Sequence, residues 1–454
     1  MHGSSGPQRT LSTLDVVCLI LGTVIGAGIF KAPSIVAGHT GAVADFFAVW
    51  ILGGLISIGG ALCYAELATS HPHAGGEYHW LSRAFGKRMA FFYAWARSTV
   101  IITGSIAILA ITLGDYLSTI VPLGVYSSYV WAVVCIVAAS ALNLMGIRES
   151  TRTQNTLTVL EIAGILAIVY AGFSVNDITS MQDLLARQSG TTQYGLAMVF
   201  VLLTFGGWSE ASYLSSEIKD GRRGISRALV WGLGGVTLLY LLANLAYLNA
   251  LGLQGMAASS AVASDVFTLA FGKESAMLFS VIVILSCLNS LNATMIFGAR
   301  SNFAMGQDFR TFAWLGRWHG SGNPRNSLIL QMLVSLAVVG LAVVTRQGFE
   351  TVVEFTAPVF WSFVLMVGLA LFILRWRQPD LPRPYRVPLY PWLPLAFVAV
   401  TAWMLWSSLV YTGLGALVGV AVLACGLFPL AWEAWRHRPV LVAAAQSHPG
   451  KAQP

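Results

Sequence analysis

Charge is what this sequence has least of. Lys, Arg, Asp and Glu make up 10% of its 454 residues, against about 25% in an ordinary soluble domain. So few charges cannot cover the surface of a water-soluble globule of this length, and that class is excluded. Long polar stretches between apolar runs are also missing, which argues against a receptor or tethered enzyme with a soluble domain. The five cysteines, Cys18, Cys63, Cys135, Cys287 and Cys425, all fall inside apolar runs. They share no zinc or redox spacing and read as packing or lipid-facing residues. No nucleophile–base pair or metal cluster stands among the runs, so neither an enzyme nor a cofactor is expected. His71, His73 and His79 share one connection without a fourth ligand nearby, so a metal is not expected there.

Apolar residues, in contrast, make up 56% of the chain, with 45 Gly and 15 Trp. A bilayer core of about 30 Å takes roughly twenty residues of helix, and repeated apolar runs of that length read as membrane spans. They run at 14–38, 43–68, 86–118, 126–145, 154–174, 193–217, 226–251, 274–303, 326–345, 349–375, 392–411 and 414–435. The expected fold is an all-α polytopic membrane protein with 12 transmembrane helices. A tail over 1–12 precedes a ten-helix core over 13–375; helices 11 and 12 follow over 376–436, then a polar tail over 437–454.

The few cations are unevenly spread. With the N-terminus and every second loop on one side, that side holds 21 of the 26 Lys and Arg, and the other holds Lys31, Arg187, Lys273 and Arg346. Cytoplasmic loops carry such an excess, which predicts a multi-pass protein of the cytoplasmic (inner) membrane with both termini cytoplasmic. The net charge of +7 then reflects topology and anionic lipid headgroups, and nucleic acid need not be invoked.

Two runs carry weak points halfway across. The first contains Gly22-Thr23-Val24-Ile25-Gly26-Ala27-Gly28-Ile29-Phe30, followed by Pro33, and the sixth contains Leu203-Thr204-Phe205-Gly206-Gly207-Trp208. Small residues alone also serve close helix packing. Two interrupted helices five runs apart match inverted-repeat transporters, with repeats at about 13–175 and 192–375. Unwinding frees N–H and C=O groups that hydrocarbon cannot satisfy and a polar ligand can. A half-helix N-terminus suits a carboxylate, and freed carbonyls suit an ammonium group. Such a pair can recognise the zwitterion of an α-amino acid and leave its side chain to a variable pocket.

At these residues the sequence resembles the amino acid–polyamine–organocation superfamily, which has a LeuT-like fold with helices 1 and 6 broken. It is most similar to bacterial permeases related to the L-type and cationic amino acid transporters. Gly26-Ala27-Gly28-Ile29-Phe30 matches the family's first-helix motif. Pro72-His73-Ala74-Gly75-Gly76-Glu77-Tyr78 matches its P-x-A-G-G-x-Y connection. Phe205-Gly206-Gly207-Trp208 with Glu217-Ile218-Lys219-Asp220 matches the sixth helix and its exit, and Arg383-Pro384-Tyr385-Arg386-Val387-Pro388 matches the element before the eleventh. The resemblance implies that the Gly26, Ala27 and Gly28 amides hold a substrate carboxylate. Carbonyls near Val24 and Leu203–Phe205 would hold its amino group, within a site that includes Thr23, Ile25 and Gly206. Leu203 stands where relatives often place an aromatic gate, and Trp208 is expected as a pocket wall or a packing residue.

Ionisable groups inside a membrane are costly and mark function by default. Glu161 lies within the fifth run, where many relatives carry a lysine; it is expected to take up a proton or bind a cation, or to make a structural bond. Glu210 is expected to recognise a cationic side chain, relay a proton or face water. Ser290 and Asn292 read as ion-coupling hydroxyl and amide ligands, or as interhelical partners. Arg97 is expected near the cytoplasmic end, snorkelling to water. The expected activity is alternating-access transport of amino acids, small or neutral, as a proton symporter or an exchanger. A polyamine or cationic amino acid carrier is the alternative, and a nutrient sensor or partner subunit is the reading from another class. The loop 114–126 has no cysteine, so no disulfide-linked subunit is expected; the partners are substrate, a proton or other cation, and lipid.

Overall fold

The computed structural model describes residues 11–26, 28–175, 192–214, 218–219, 221–259, 261–318, 323–345, 348–412 and 415–436. Ala27, Glu217 and Asp220 of the sequence motifs lie outside the described residues, as do both terminal tails. The chain opens with α1 (Thr13–Val24) and α2 (Gly28–Gly38), then α3 (Val43–Ser70) and the short α4 (Glu77–Phe85). Next come α5 (Lys87–Ala96), a π-helical turn (Arg97–Ile101), α6 (Ile102–Ile120), α7 (Ser127–Met145) and α8 (Ile147–Ser174). The second half holds α9 (Tyr194–Thr204), a 3-10 turn (Trp208–Leu214), α10 (Gly221–Ala258), α11 (Val262–Phe271) and α12 (Ala276–Asp308). It closes with α13 (Arg325–Thr345), α14 (Gly348–Arg377), α15 (Trp392–Thr412), α16 (Gly415–Cys425) and α17 (Leu427–Arg436).

Among the described residues, nine helices are long and apolar enough to cross a membrane, or ten when the bent pair α1 and α2 is one span. Shorter apolar helices occupy the expected sixth and twelfth runs, at Tyr194–Thr204 and Gly419–Glu433. This is a multi-pass membrane protein. Its outward faces carry Val159, Leu160 and Trp231, which suit lipid rather than water. Trp376, Trp392, Trp432 and Trp435 are exposed at or near helix ends, where aromatic rings sit at the bilayer interface.

Lipid supplies no hydrophobic drive between helices, so close packing must hold them together, and glycine permits it. A Cβ on Gly53, Gly54 or Gly60 of α3 would come within 2.3 Å of Val201, 2.6 Å of Thr237 or 2.7 Å of Trp208. The three glycines thus seat α9, α10 and the 3-10 turn directly on α3. On α6, Gly114 approaches the Ser128 carbonyl so closely that a Cβ would lie 2.0 Å from its oxygen. These contacts fix the scaffold on which the two breaks are held.

Candidate functional site

The first span begins with a capping box. The Ser12 hydroxyl accepts from the Asp15 amide at 3.2 Å and Asp15 Oδ2 accepts from the Ser12 amide at 2.8 Å. It ends at Val24, where Ile25 turns extended, and α2 leaves at 48° to α1. In the expected sixth run α9 ends at Thr204, and the chain passes Gly207 at φ +99° into the 3-10 turn. The two breaks meet through glycine. A Cβ on Gly207 would lie 2.9 Å from the Thr23 carbonyl oxygen, one on Gly28 3.0 Å from Thr204 Cγ2, and one on Gly26 3.1 Å from Ser290 Oγ. At Gly207 backbone is thereby packed against backbone, while Gly28 and Gly26 pack against the Thr204 and Ser290 side chains.

Two neutral hydroxyls meet carbonyls at these breaks. The Tyr240 hydroxyl of α10 lies 2.8 Å from the Val24 carbonyl oxygen and 3.1 Å from that of Thr204, its one proton shared between the two spans. Ser290 of α12 likewise lies 2.9 Å from the Gly22 oxygen and 2.7 Å from that of Ile25. Phe205 is buried, its ring against Tyr240 and Trp50. Leu203 instead points away, 45% exposed. Trp208 packs edge-on to Tyr64 and Phe397 and borders a cavity of about 30 Å³ that also touches Gly206, Phe360 and Trp361.

Glu161 is buried on α8. It accepts from the Ser286 hydroxyl and, at 2.6 Å, from the Asn289 amide of α12. Asn289 also donates to Thr158, whose hydroxyl reaches the Cys18 carbonyl at 3.1 Å. The acid is thus tied to the first span, and among the described residues no cation is paired with it. Asn292 lies one turn further along α12, bonded to Asn143 at 3.0 Å and Gln154 at 2.8 Å, with Ser150 alongside. It sits in an interhelical network, whereas Ser290 reaches the break.

Two expectations need correction. Arg97 does not snorkel: it is 2% exposed, on the π-helical turn. Glu210 does not face water: it is 6% exposed and takes both guanidinium nitrogens of Arg97, at 2.8 and 2.5 Å. Each long-range partner removes the need for water that drove the expectation. Glu77 completes the cluster, 3.6 Å from Arg97 and bonded to Tyr64, Tyr93 and Tyr213. Burial raises its carboxyl above the ordinary range, against the pull of Arg97, and Glu210 adds to the rise.

The connection bearing Glu77 is anchored further out. Tyr78 donates to Asp308 at 2.8 Å and Lys87 pairs with it at 2.6 Å. His73 and His79 stack at 4.3 Å. Burial holds both below the ordinary imidazole value, His79 down to about 3 with the help of His73. The Arg-Pro-Tyr-Arg-Val-Pro element closes onto Glu66 at the end of α3. That carboxylate takes Arg375 at 2.7 and 2.6 Å and the Val387 amide at 2.6 Å, with Arg383 3.5 Å away. Tyr240, Glu77 and Glu66 were missed in the sequence. Tyr240 and Tyr247, seven apart on one face of an apolar helix, were the available signal.

A multi-pass helical protein with buried backbone carbonyls met by single hydroxyls at two facing helix breaks has the build of a membrane carrier. The comparisons make this specific. The amino acid permease family model matches residues 11–426, and the chain belongs to that family, which marks it as an amino acid transporter and not an enzyme. It is similar to the mouse (Mus musculus) large neutral amino acids transporter small subunit 2, 27% identical over 96% of this chain and 83% of that protein. The cystine/glutamate transporter of Pongo abelii is 26% identical, over 94% and 86% of the two chains. The mouse b(0,+)-type amino acid transporter 1 is 25% identical, over 89% and 83%.

Proposed function

We propose that this chain is a secondary transporter that moves small or neutral L-amino acids across the cytoplasmic membrane by alternating access. The observation that carries this reading is the pair of breaks joined through Tyr240. A substrate ammonium group can replace the Tyr240 hydroxyl at the Val24 and Thr204 carbonyls. The carboxylate meets the Gly26 and Gly28 amides at the start of α2, where the helix dipole favours an anion. Thr23, Ile25, Phe205 and Gly206 frame the site, and Leu203 contributes its backbone alone, its side chain being turned outward. The cavity beside Trp208, about 30 Å³, has room for only a small side chain. Twelve spans in two inverted repeats with both termini cytoplasmic fit the loop charges.

Glu161 takes up the coupling proton or another cation, with Ser290 at the first break and Asn292 in the neighbouring network as further coupling residues of α12. A buried carboxyl among neutral donors changes charge when it binds a proton, and its bonds to α12, with the link from Asn289 through Thr158 to the Cys18 carbonyl of α1, carry that change toward the first break. In liposomes, Glu161→Gln is expected to keep amino acid exchange and lose stimulation by an inward proton gradient. Uptake with the wild-type pH response would end this assignment.

A polyamine or cationic amino acid carrier would need a free acid in the pocket, and Glu210 is already committed to Arg97. The deciding experiment is uptake of radiolabelled amino acids by reconstituted protein, with competitors, with and without a pH gradient. Saturable uptake competed by alanine supports the main reading; competition by arginine or putrescine in its place selects the cationic one. No uptake of any amine overturns transport and leaves a sensor or partner subunit.

A further inference from the structure

Fourteen residues, 378–391, join α14 to α15, and five of them are proline. Proline fixes φ and leaves the backbone few states to lose, so this connection is a stiff strap. Burial alternates along its middle. Arg383, Tyr385 and Val387 turn inward, while Pro384, Arg386 and Pro388 turn outward, which is the period of an extended chain. The inner edge is locked. Glu66 takes the Val387 amide at 2.6 Å and lies 3.5 Å from Arg383, which also donates to the Gln378 carbonyl at 2.7 Å.

The outer edge is unmatched in charge and in polarity. Glu66 is one carboxylate shared by two guanidinium groups, Arg375 and Arg383, so a positive charge is left over beside the strap. Arg386 is exposed and pairs with no carboxylate among the described residues. Near it stand Trp376, Leu389 and Trp392, which are 81%, 75% and 74% exposed. Packing brings them to one side of the protein. Tyr390 lies 5.7 Å from Phe372 of α14, Trp376 is one turn beyond Phe372, and Leu389 precedes Tyr390. Leu389 itself sits at φ +52°, a strained conformation for leucine in which an apolar side chain is presented outward. Both ends of the strap run into helices long and apolar enough to cross a membrane. It therefore lies at the level of the headgroups, where a cation meets phosphate and apolar rings meet the upper acyl chains.

We propose that this strap is a binding site for an anionic phospholipid of the cytoplasmic leaflet, on the side that the loop charges assign to the cytoplasm. The lipid phosphate meets Arg386, and the acyl chains lie against Leu389, Trp392 and Trp376. A zwitterionic lipid brings an ammonium group toward the charge left over at Glu66, so the site prefers a headgroup that carries only negative charge. The inner edge of the same strap holds the end of α3, on which α9 and the 3-10 turn are seated through glycine. A bound lipid thus steadies the scaffold of the second break, whatever the substrate.

The test uses the full chain in mixed micelles with phosphatidylglycerol or phosphatidylcholine, each carrying the same photoreactive acyl chain. Crosslinks mapped by mass spectrometry are expected within 384–392 and at Trp376, and more of them from phosphatidylglycerol. Arg386→Gln should lower the ratio of phosphatidylglycerol to phosphatidylcholine labelling there about fivefold, the share of one cation at an anionic surface. Arg88→Gln, which changes an exposed arginine of α5 on the same side, should leave that ratio unchanged. A ratio unaltered in Arg386→Gln overturns the proposal. So does an equal loss in both variants, because the attraction would then belong to the whole cytoplasmic face. Should Arg386→Gln fail to fold, the wild-type map decides: equal labelling by the two lipids, or labels outside the strap, overturns the site.

Discussion

Where the two broken spans face each other, backbone carbonyls are met by single neutral hydroxyls, Tyr240 and Ser290. Beside the 3-10 turn that leaves the second break, Glu77 and Glu210 converge on one guanidinium. Both regions bury polar groups, yet their energetics differ. A neutral hydroxyl bond contributes about 1 kcal/mol net, and another donor can replace it. A desolvated ion pair contributes little over an apolar core, but breaking it from one side is severe, because a charge is stranded. The first region can therefore exchange a ligand for a side chain. The second can only switch partners or change protonation, which suits a clamp.

The largest break in that contrast is Arg97→Met. It strands Glu210 and takes from Glu77 the guanidinium 3.6 Å away, at a cost of about 3–5 kcal/mol. The expected outcome is a sharply lower melting temperature or loss of folded protein in detergent. Glu210→Gln added to Arg97→Met should recover part of this, with a coupling of about 0.5–3 kcal/mol. An undisturbed single variant would show that the cluster is not the charge lock described here.

A smaller effect is expected at the neutral seam. Tyr240→Phe removes the one donor shared by Val24 and Thr204 at a cost of about 1–3 kcal/mol, while the ring keeps its packing on Phe205. Folding should survive. If, as proposed, the substrate ammonium takes the carbonyls that the hydroxyl holds, KM should fall or hold while kcat drops. A variant that binds substrate normally and turns over at the wild-type rate would remove Tyr240 from the site.

Much of this could be read from the chain, and the losses have a common cause. Apolar runs locate the spans because helix length against bilayer thickness is a local property, visible in any window of about twenty residues. Gly26 and Gly28 mark the first break, and Gly206-Gly207 the second, because unwinding is also local. Partnerships are not. Arg97 and Glu210 are 113 positions apart, and each alone looks like a charge in search of water. Tyr240 resembles any tyrosine in an apolar helix until α10 is laid against both breaks. The Arg-Pro-Tyr-Arg-Val-Pro element was visible but Glu66 was not, because the closure between them, across 321 positions to Val387, needs the fold.

The smallest effect separates the two regions by acid. His79 stays neutral in the folded protein down to about pH 3, against an ordinary value of 6.5. The unfolded chain therefore binds more protons as pH falls below about 6.5, and stability is lost across that window. Above neutral pH the residue contributes no such dependence. Replacing it by Phe keeps a ring to stack on His73 and removes the titration. Wild type and His79→Phe should melt alike at pH 7.5 and diverge at pH 5.5 by at most about 1.4 kcal/mol, the variant being the more stable. Amide exchange should place the wild-type loosening in α4, which carries Glu77, with α1 and α9 unaffected. Acid loosening of α1 and α9 to the same degree would mean that the clamp and the seam are one cooperative unit, and that the contrast between them is chemical but not mechanical.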